Sequence, residues 1–445
     1  MSKNRVVFDS LTHLKKFDSK WQNWVMPNGL RCLYIPLPKE DPRFQTTLLV
    51  ATGSRHESND VAGISHLLEH MMFRGSERYP SFSDLSIAFE SLGGEWNAAT
   101  GHEYTEFYYN GIASHLDESI QLFADFILRP KLQELETERR IVQRELEGEL
   151  NENGVSTDPD FHIATKIWPK TPMAQPIIGT VNSLSKIDQN KLQTWFKENY
   201  NPNNAVLCIV GGPLEEVKNL VNANFGPWQN NRPRKTQTPV VTNFKGPLAF
   251  WVENSDNEYQ VQMSFTCEGT GSPDTPGYEL LTRVLADGFS SRLTRRIREE
   301  LGLVYDISAH LHQYDGAGLI NITASVLREN LRPFFKEVFS ALNILCKQEI
   351  TSDELERHKL RAITDLEMTT SEPSALAWRG AWALISGTEE KLSNWAEKFA
   401  QIDSNAFATI AKAIFKPESL CVVALGPDED KIDQELRSIV DEWKR

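Results

Sequence analysis

From Leu30 onward, short apolar runs alternate with polar breaks. "LRCLYIPL" and "TTLLVATG" read as strands flanking a turn near "PKEDPR", and "TEFYYNGI" reads as a third strand. Elsewhere the spacing becomes helical. "VAGISHLLEHMMF", "SDLSIAFESLG" with a glycine C-cap, "HLDESIQLFADFIL" and "ELETERRIVQRELEGEL" each predict a helix. Strands come mostly in pairs rather than alternating singly with helices. That pattern predicts an α+β fold, with a mostly antiparallel sheet and helices packed on it.

The pattern also repeats. "NYNPNNAVLCIVGGP" and "IFKPESLCVVALGPD" align Pro202 with Pro417, Val206 with Cys421 and Gly211 with Gly426, at an offset of 215 residues. Each reads as a helix end, a proline turn and a short buried strand. A second echo pairs "SLGGEWNAAT" with "ELGLVYDISA" at an offset of 209. Self-similarity at half the chain length predicts two homologous domains and not a short-period solenoid. Between them, Gly226–Gly246 is polar, with Pro and Gly and little periodicity before Val240. The expected division is residues 1–228, a linker or hinge at 229–245, and residues 246–445.

Composition narrows the class. The 445 residues are 40% hydrophobic and 24% charged, which is globular, with ample apolar material for large cores. A net charge of −14 argues against a nucleic-acid partner, because no broad basic surplus exists to displace counterions. No run of about 18 apolar residues is present to span a bilayer, and the N-terminus has no secretory h-region. The five scattered cysteines read as free thiols in a reducing compartment. A cytoplasmic protein is expected, bacterial in the simplest case, with a mature organellar form also compatible.

Within the first predicted helix, His66 and His70 are four residues apart and project from one face. Imidazoles on adjacent turns can ligate one Zn²⁺, and Glu69 beside them can reach water at the metal without being a ligand. This is the inverted H-x-x-E-H arrangement. A chance clustering of polar residues is the alternative. It is disfavoured because Ile64, Leu67, Leu68, Met71, Met72 and Phe73 surround the motif, and burying three titratable groups without a partner is costly. A catalytic zinc usually takes a third protein ligand. In "ETERRIVQRELEGEL", Glu138 and Glu145 lie two turns apart and, with Glu149, fall inside the arc of Leu135, Ile141, Val142 and Leu146. By periodicity alone, a Glu-rich surface helix fits this stretch somewhat better than a ligand-bearing one.

The run "GSRHESNDVAGISHLLEHMMFRGSERYP" resembles the zinc signature of the pitrilysin family, which includes insulin-degrading enzyme and the mitochondrial processing peptidase. In that family a glutamate about 75 residues beyond the second histidine is the third ligand, and Glu145 lies 75 residues after His70. The resemblance implies one Zn²⁺ per chain, with His66, His70 and Glu145 as ligands, Glu69 as general base and Glu138 supporting the ligands. "LGGEWNAATGHEYTEFYYN" is similar to the family's edge strand, which pairs with substrate backbone, and Asn97 and Ala98 hold the peptide positions there. Without that likeness Asn97 is an ordinary turn-flanking residue. "SSRLTRRIREELGLVYDISA" resembles a C-terminal motif whose Arg and Tyr, here Arg298 and Tyr305, reach across to the active site. Without it, Arg298 is a cation near a helix C-terminus. At the 215 offset, His66, Glu69 and His70 fall on Leu281, Val284 and Leu285, so the second half keeps the scaffold without the metal.

The activity implied is zinc-dependent endopeptidase cleavage of short unfolded peptides inside a closed chamber. Short members of the family pair into four domains. Because this chain holds both the metal motif and the Arg/Tyr motif, a homodimer is expected, a heterodimer with a related chain being the alternative. Three rivals stand beside it: a non-catalytic assembly subunit, a peptide-binding module with structural zinc, and a maturation protease dedicated to one ribosomal peptide.

Overall fold

A computed structural model describes residues 3–230, 238–347, 350–389, 391–428 and 431–443. The first half forms strands β1 (Gln22–Val25), β2 (Arg31–Ile35), β3 (Arg43–Val50), β4 (Glu95–Thr100), β5 (Thr105–Ile112) and β6 (Ala205–Val210). They make one sheet in the order β1-β2-β6-β3-β5-β4, antiparallel except for β2 with β6. The second half forms β7 (Leu248–Glu253), β8 (Tyr259–Cys267), β9 (Val304–Tyr314), β10 (Ala317–Val326) and β11 (Leu420–Gly426). Their order is β7-β11-β8-β10-β9, antiparallel except for β7 with β11. The two orders superpose as β2/β7, β6/β11, β3/β8, β5/β10 and β4/β9. Both sequence echoes fall on equivalent strands: β6 and β11 each follow a proline 3-10 turn, and β9 starts 209 residues after β4. The fold is α+β, with two related halves.

Strand alternation explains how both faces of each sheet are covered. In β6, Ala205, Leu207 and Ile209 enter the core beneath the first half's own helices, whereas Val206, Cys208 and Val210 point the other way. That second face is covered from the other half of the chain. The helix Pro373–Ser386 packs on β2, β3 and β6 through Leu376, Ala377 and Ala381. Each fully buried Leu there contributes about 1.5–3 kcal/mol. The approach is close at Gly380, where a Cβ would stand 2.4 Å from Leu33 Cδ2. The exchange is reciprocal. The helix Pro159–Ile167 packs on β11, where Ile163, Ile167 and Trp168 meet Cys421, Val423 and Leu425. Matched polar contacts mark the two crossings: Ser374 donates to Gln45 Oε1 at 3.2 Å, and Gln262 donates to Asp160 Oδ1 at 2.7 Å.

Residues 231–237 of the expected hinge lie outside the described residues. Beyond them the chain is held in place: Arg55 donates to the Thr238 carbonyl at 2.7 Å, Val240 N to Asp315 O at 2.7 Å, and Trp168 Nε1 to Thr242 Oγ1 at 2.9 Å. All five cysteines are free thiols, with Cys267 and Cys346 only partly buried. Among the described residues no helix is long and apolar enough to cross a membrane.

Candidate metal centre and its cleft

The helix Ile64–Met72 opens at Gly63, whose φ of +89° favours glycine and where a Cβ would stand 2.5 Å from the Ile178 carbonyl. Its first free N–H groups are satisfied by Glu57, a buried residue. Gly63 N donates to Glu57 Oε2 at 2.6 Å and Ser65 N to Oε1 at 2.8 Å. Burial pushes this carboxyl up to about 7 despite those two donors. Ile64, Leu67, Leu68, Met71 and Met72 are buried, so the helix is clamped on its apolar side while His66 and His70 face a cleft.

The helix Leu135–Gly148 lies against it. Glu145 Oε1 is 3.8 Å from His66 Nε2, and Oε2 is 3.6 Å from His70 Nε2. One ligand atom from each of the three residues can be chosen so that all lie within 4.8 Å of one another, a spacing suited to a shared cation. Glu138, only 4% exposed, accepts from His70 Nδ1 at 3.1 Å and binds Arg74 through its other oxygen. The wheel reading of this helix needs correction at three positions. Ile141 is 40% exposed, and Glu145 and Glu149, expected inside the apolar arc, are exposed as well; the buried side consists of Glu138, Val142 and Leu146. The helix turns its carboxylates to the metal-motif helix because Glu138 is neutralised there.

Glu69, 8% exposed, does not join the triad; its Oε2 accepts from Thr100 Oγ1 at 2.6 Å. Burial raises the Glu69 pKa, with Thr100 and His70 pulling the other way. His66 is pushed down to about 4 by burial and then by His70, which keeps it as the neutral imidazole a metal requires. For His70, burial opposes the charge, but the Glu138 hydrogen bond and the nearby carboxylates outweigh it and raise the pKa. Glu138 is likewise opposed by burial, yet His70 and Arg74 hold it below the usual carboxylate range. Two imidazoles, one carboxylate and a buried acid orienting one imidazole form a donor set that fits Zn²⁺.

Thr100 ends β4, an edge strand of the first sheet. Stacking of Trp96 on Phe89 at 4.2 Å anchors that strand. Ala98 lines the cleft and its N–H donates to Asn97 Oδ1 at 2.8 Å, so the strand satisfies one edge amide itself. The cleft encloses about 1470 Å³ between the halves, with Leu311, His312 and Tyr314 of β9 and Trp378 and Trp382 facing the metal motif. Arg298 and Tyr305 are not among its lining residues. Tyr305 is 85% exposed near the start of β9, and His312 lies seven residue steps further along the strand, about 24 Å at ~3.4 Å per residue. Arg298, in the π-helical segment Thr294–Glu300, lies 5.7 Å from the Tyr305 ring centroid and 5.6 Å from that of the exposed Phe289.

Sequence reasoning missed Glu57, Thr100, Arg74 and the tryptophans of the opposite wall. Glu57 had a faint signal, an acid just upstream of a helix. The tryptophans had none, because their helix crosses from the other half of the chain.

Two family domains match the chain: insulinase (peptidase family M16) over residues 38–181 and the peptidase M16 inactive domain over residues 186–361. An uncharacterized zinc protease of Bacillus subtilis is 24% identical over 387 residues, covering 85% of this chain and 91% of that protein. One from Mycobacterium bovis is 26% identical over 426 residues, covering 93% and 95%. Among solved structures, a protease from Helicobacter pylori superposes with a TM-score of 0.84 at 21% identity, over 92% of this chain and 99% of that one. The first match lies within the first half, the second begins there at residue 186 and runs into the second half, and the chain belongs to the insulinase (M16) peptidase family in its short, two-domain form.

Proposed function

We propose that the chain is a zinc-dependent endopeptidase acting on unfolded peptides, with His66, His70 and Glu145 holding the metal. The observation that carries this reading is the convergence of those three side chains, from helices far apart in sequence, beside a buried carboxylate that is not one of them. A zinc ion held there supplies Lewis acidity, acidifying water and polarising a carbonyl. Glu69 takes the proton of the attacking water and delivers it to the leaving amine, with Thr100 fixing its orientation. The peptide lies as an added strand along β4, past Asn97 and Ala98, whose amide exchanges the Asn97 side chain for a substrate carbonyl.

Arg298 and Tyr305 complete the site from a second copy of the chain, in a homodimer. The exposure of Tyr305 and Phe289, with Arg298 against both rings, at the far end of β9 from the chain's own cleft, supports that arrangement. Glu69→Gln should keep one zinc per chain and lose cleavage of a quenched fluorescent peptide, whereas His66→Ala should lose the zinc. Full turnover by Glu69→Gln would overturn the proposal.

A further inference from the structure

Glu69 takes its orientation from the hydroxyl of Thr100, the last residue of an edge strand. An edge strand has a neighbour on one side only, here β5, so the position of its end depends on the turn that follows. That turn, residues 101–104, closes through Gly101 N to Tyr104 O at 2.8 Å. Residues 53–57 grip it from outside. Ser54 N donates to Gly101 O at 3.2 Å, Arg55 N donates to His102 O at 2.9 Å, and Ser54 Oγ lies 2.8 Å from His102 Nδ1. At Gly53 a Cβ would stand 2.1 Å from the Gly101 carbonyl oxygen, so the two segments touch backbone to backbone. Glu57, at the end of the same stretch, caps the metal-motif helix through Gly63 N and Ser65 N. One short stretch therefore locates both the helix that carries Glu69 and the turn that places its hydrogen-bond donor.

The stretch is itself fixed by an ion pair. Arg55 donates to Glu103 Oε1, and the two side chains are 6% and 8% exposed. Both partners also reach beyond the first sheet. Arg55 Nη2 donates to the Thr238 carbonyl at 2.7 Å, and Asp315 N donates to Glu103 Oε1 at 2.8 Å. Asp315 stands in the β9–β10 turn, the counterpart in the second sheet of the 101–104 turn. The two turns meet tip to tip, with the His102 ring 5.6 Å from that of Tyr314. A buried ion pair adds little stability over an apolar pair of the same size, because desolvating two charges offsets their attraction. What it adds is direction. One carboxylate oxygen accepts from donors on both halves of the chain, which fixes the turn where an apolar contact would let it slide.

We propose that Arg55 and Glu103 are positioning residues for peptide cleavage: they hold the turn where Thr100 meets Glu69, and they make that contact depend on the docked second half. The inference rests on the peptidase reading for the role of Glu69 and adds what aims it.

The test is a double-mutant cycle on kcat, with zinc content and thermal midpoint read alongside. Thr100→Val removes the hydroxyl, and Glu103→Ala removes the ion pair. Each should lower kcat at least tenfold with one zinc per chain retained. Combined, they should lower it no further than Thr100→Val does alone, because both act through one hydrogen bond. The double variant Arg55→Met/Glu103→Leu replaces the pair with apolar side chains. Its midpoint should match or exceed that of the wild type while kcat falls as far as in Glu103→Ala. Losses that multiply in the cycle overturn the inference. So does full kcat in either pair variant, or a kcat that falls only together with the midpoint or the zinc. A wild-type chain that cleaves no peptide defeats the peptidase reading by itself. The aiming of Glu69 has its own readout in crystals of Arg55→Met/Glu103→Leu. Thr100 Oγ1 displaced beyond hydrogen-bond reach of Glu69 upholds it, and an unchanged 2.6 Å contact overturns it.

Discussion

Glu138→Gln isolates what the acid behind the metal site contributes. The carboxylate has two engagements: Oε2 accepts from His70 Nδ1 at 3.1 Å and Oε1 accepts from Arg74. A carboxamide keeps the shape but has one acceptor oxygen, so whichever way it turns, an NH₂ faces either the imidazole N–H or the guanidinium. One charge-assisted contact is lost, worth about 1.5–3 kcal/mol. Arg74 keeps Glu134 at 3.5 Å as a second, largely exposed partner, so the fold tolerates the change better than the ligand does. The consequence for His70 is a less basic ring with a less fixed orientation. Losing such a partner typically lowers metal affinity by about 10–100-fold, which corresponds to about 1.4–2.7 kcal/mol. Competition with a chromophoric zinc chelator measures this directly, with the thermal midpoint of the zinc-free chain as the control for folding. A zinc affinity within twofold of wild type would refute the assignment of Glu138 as the residue that orients His70.

Two further outcomes follow from burial. Gly380→Val should lower the thermal midpoint by the equivalent of about 1–3 kcal/mol, because the added Cβ enters space held by Leu33; an unchanged midpoint would mean the crossing helix is not seated on β2. Glu106→Gln should stabilise the chain at pH 8 and have little effect at pH 4.5. A carboxyl raised from 4.5 to about 7 costs nothing while protonated and destabilises the fold as pH rises through 7. The full shift corresponds to about 3 kcal/mol, reduced to about 1–2 by the solvent that reaches the group. Equal midpoint shifts at the two pH values would count against an uncompensated Glu106.

Much of the fold was legible in the sequence, for a physical reason. Runs such as Leu30–Leu37 and Ala205–Val210 are apolar because both faces of the sheets are covered, and the 209 and 215 offsets land on equivalent strands of the two sheets. The candidate metal site was legible because the chemistry it proposes confines His66, Glu69 and His70 to one helical face. The exchange of helices between the halves was not. The segment Pro373–Ser386 is apolar whichever sheet it packs on, and no local pattern records a partner more than 300 residues away, such as Leu33. The role of Glu138 escaped periodicity because pairing with Arg74 and His70 lets a charge lie where an apolar residue is expected, while Ile141 turns outward. The placement of Arg298 and Tyr305 outside the chain's own cleft was equally hidden, since their motif fixes spacing along the chain and not distance across it.

The account depends above all on His66, His70 and Glu145 sharing one metal ion. An anomalous difference map recorded at the zinc absorption edge, from crystals grown with stoichiometric zinc, tests this most directly. One peak per chain is expected, with nitrogen ligands at about 2.0–2.1 Å from His66 and His70 and a carboxylate oxygen of Glu145 at about 2.0–2.2 Å. A peak elsewhere, or a metal bound without Glu145, would contradict it.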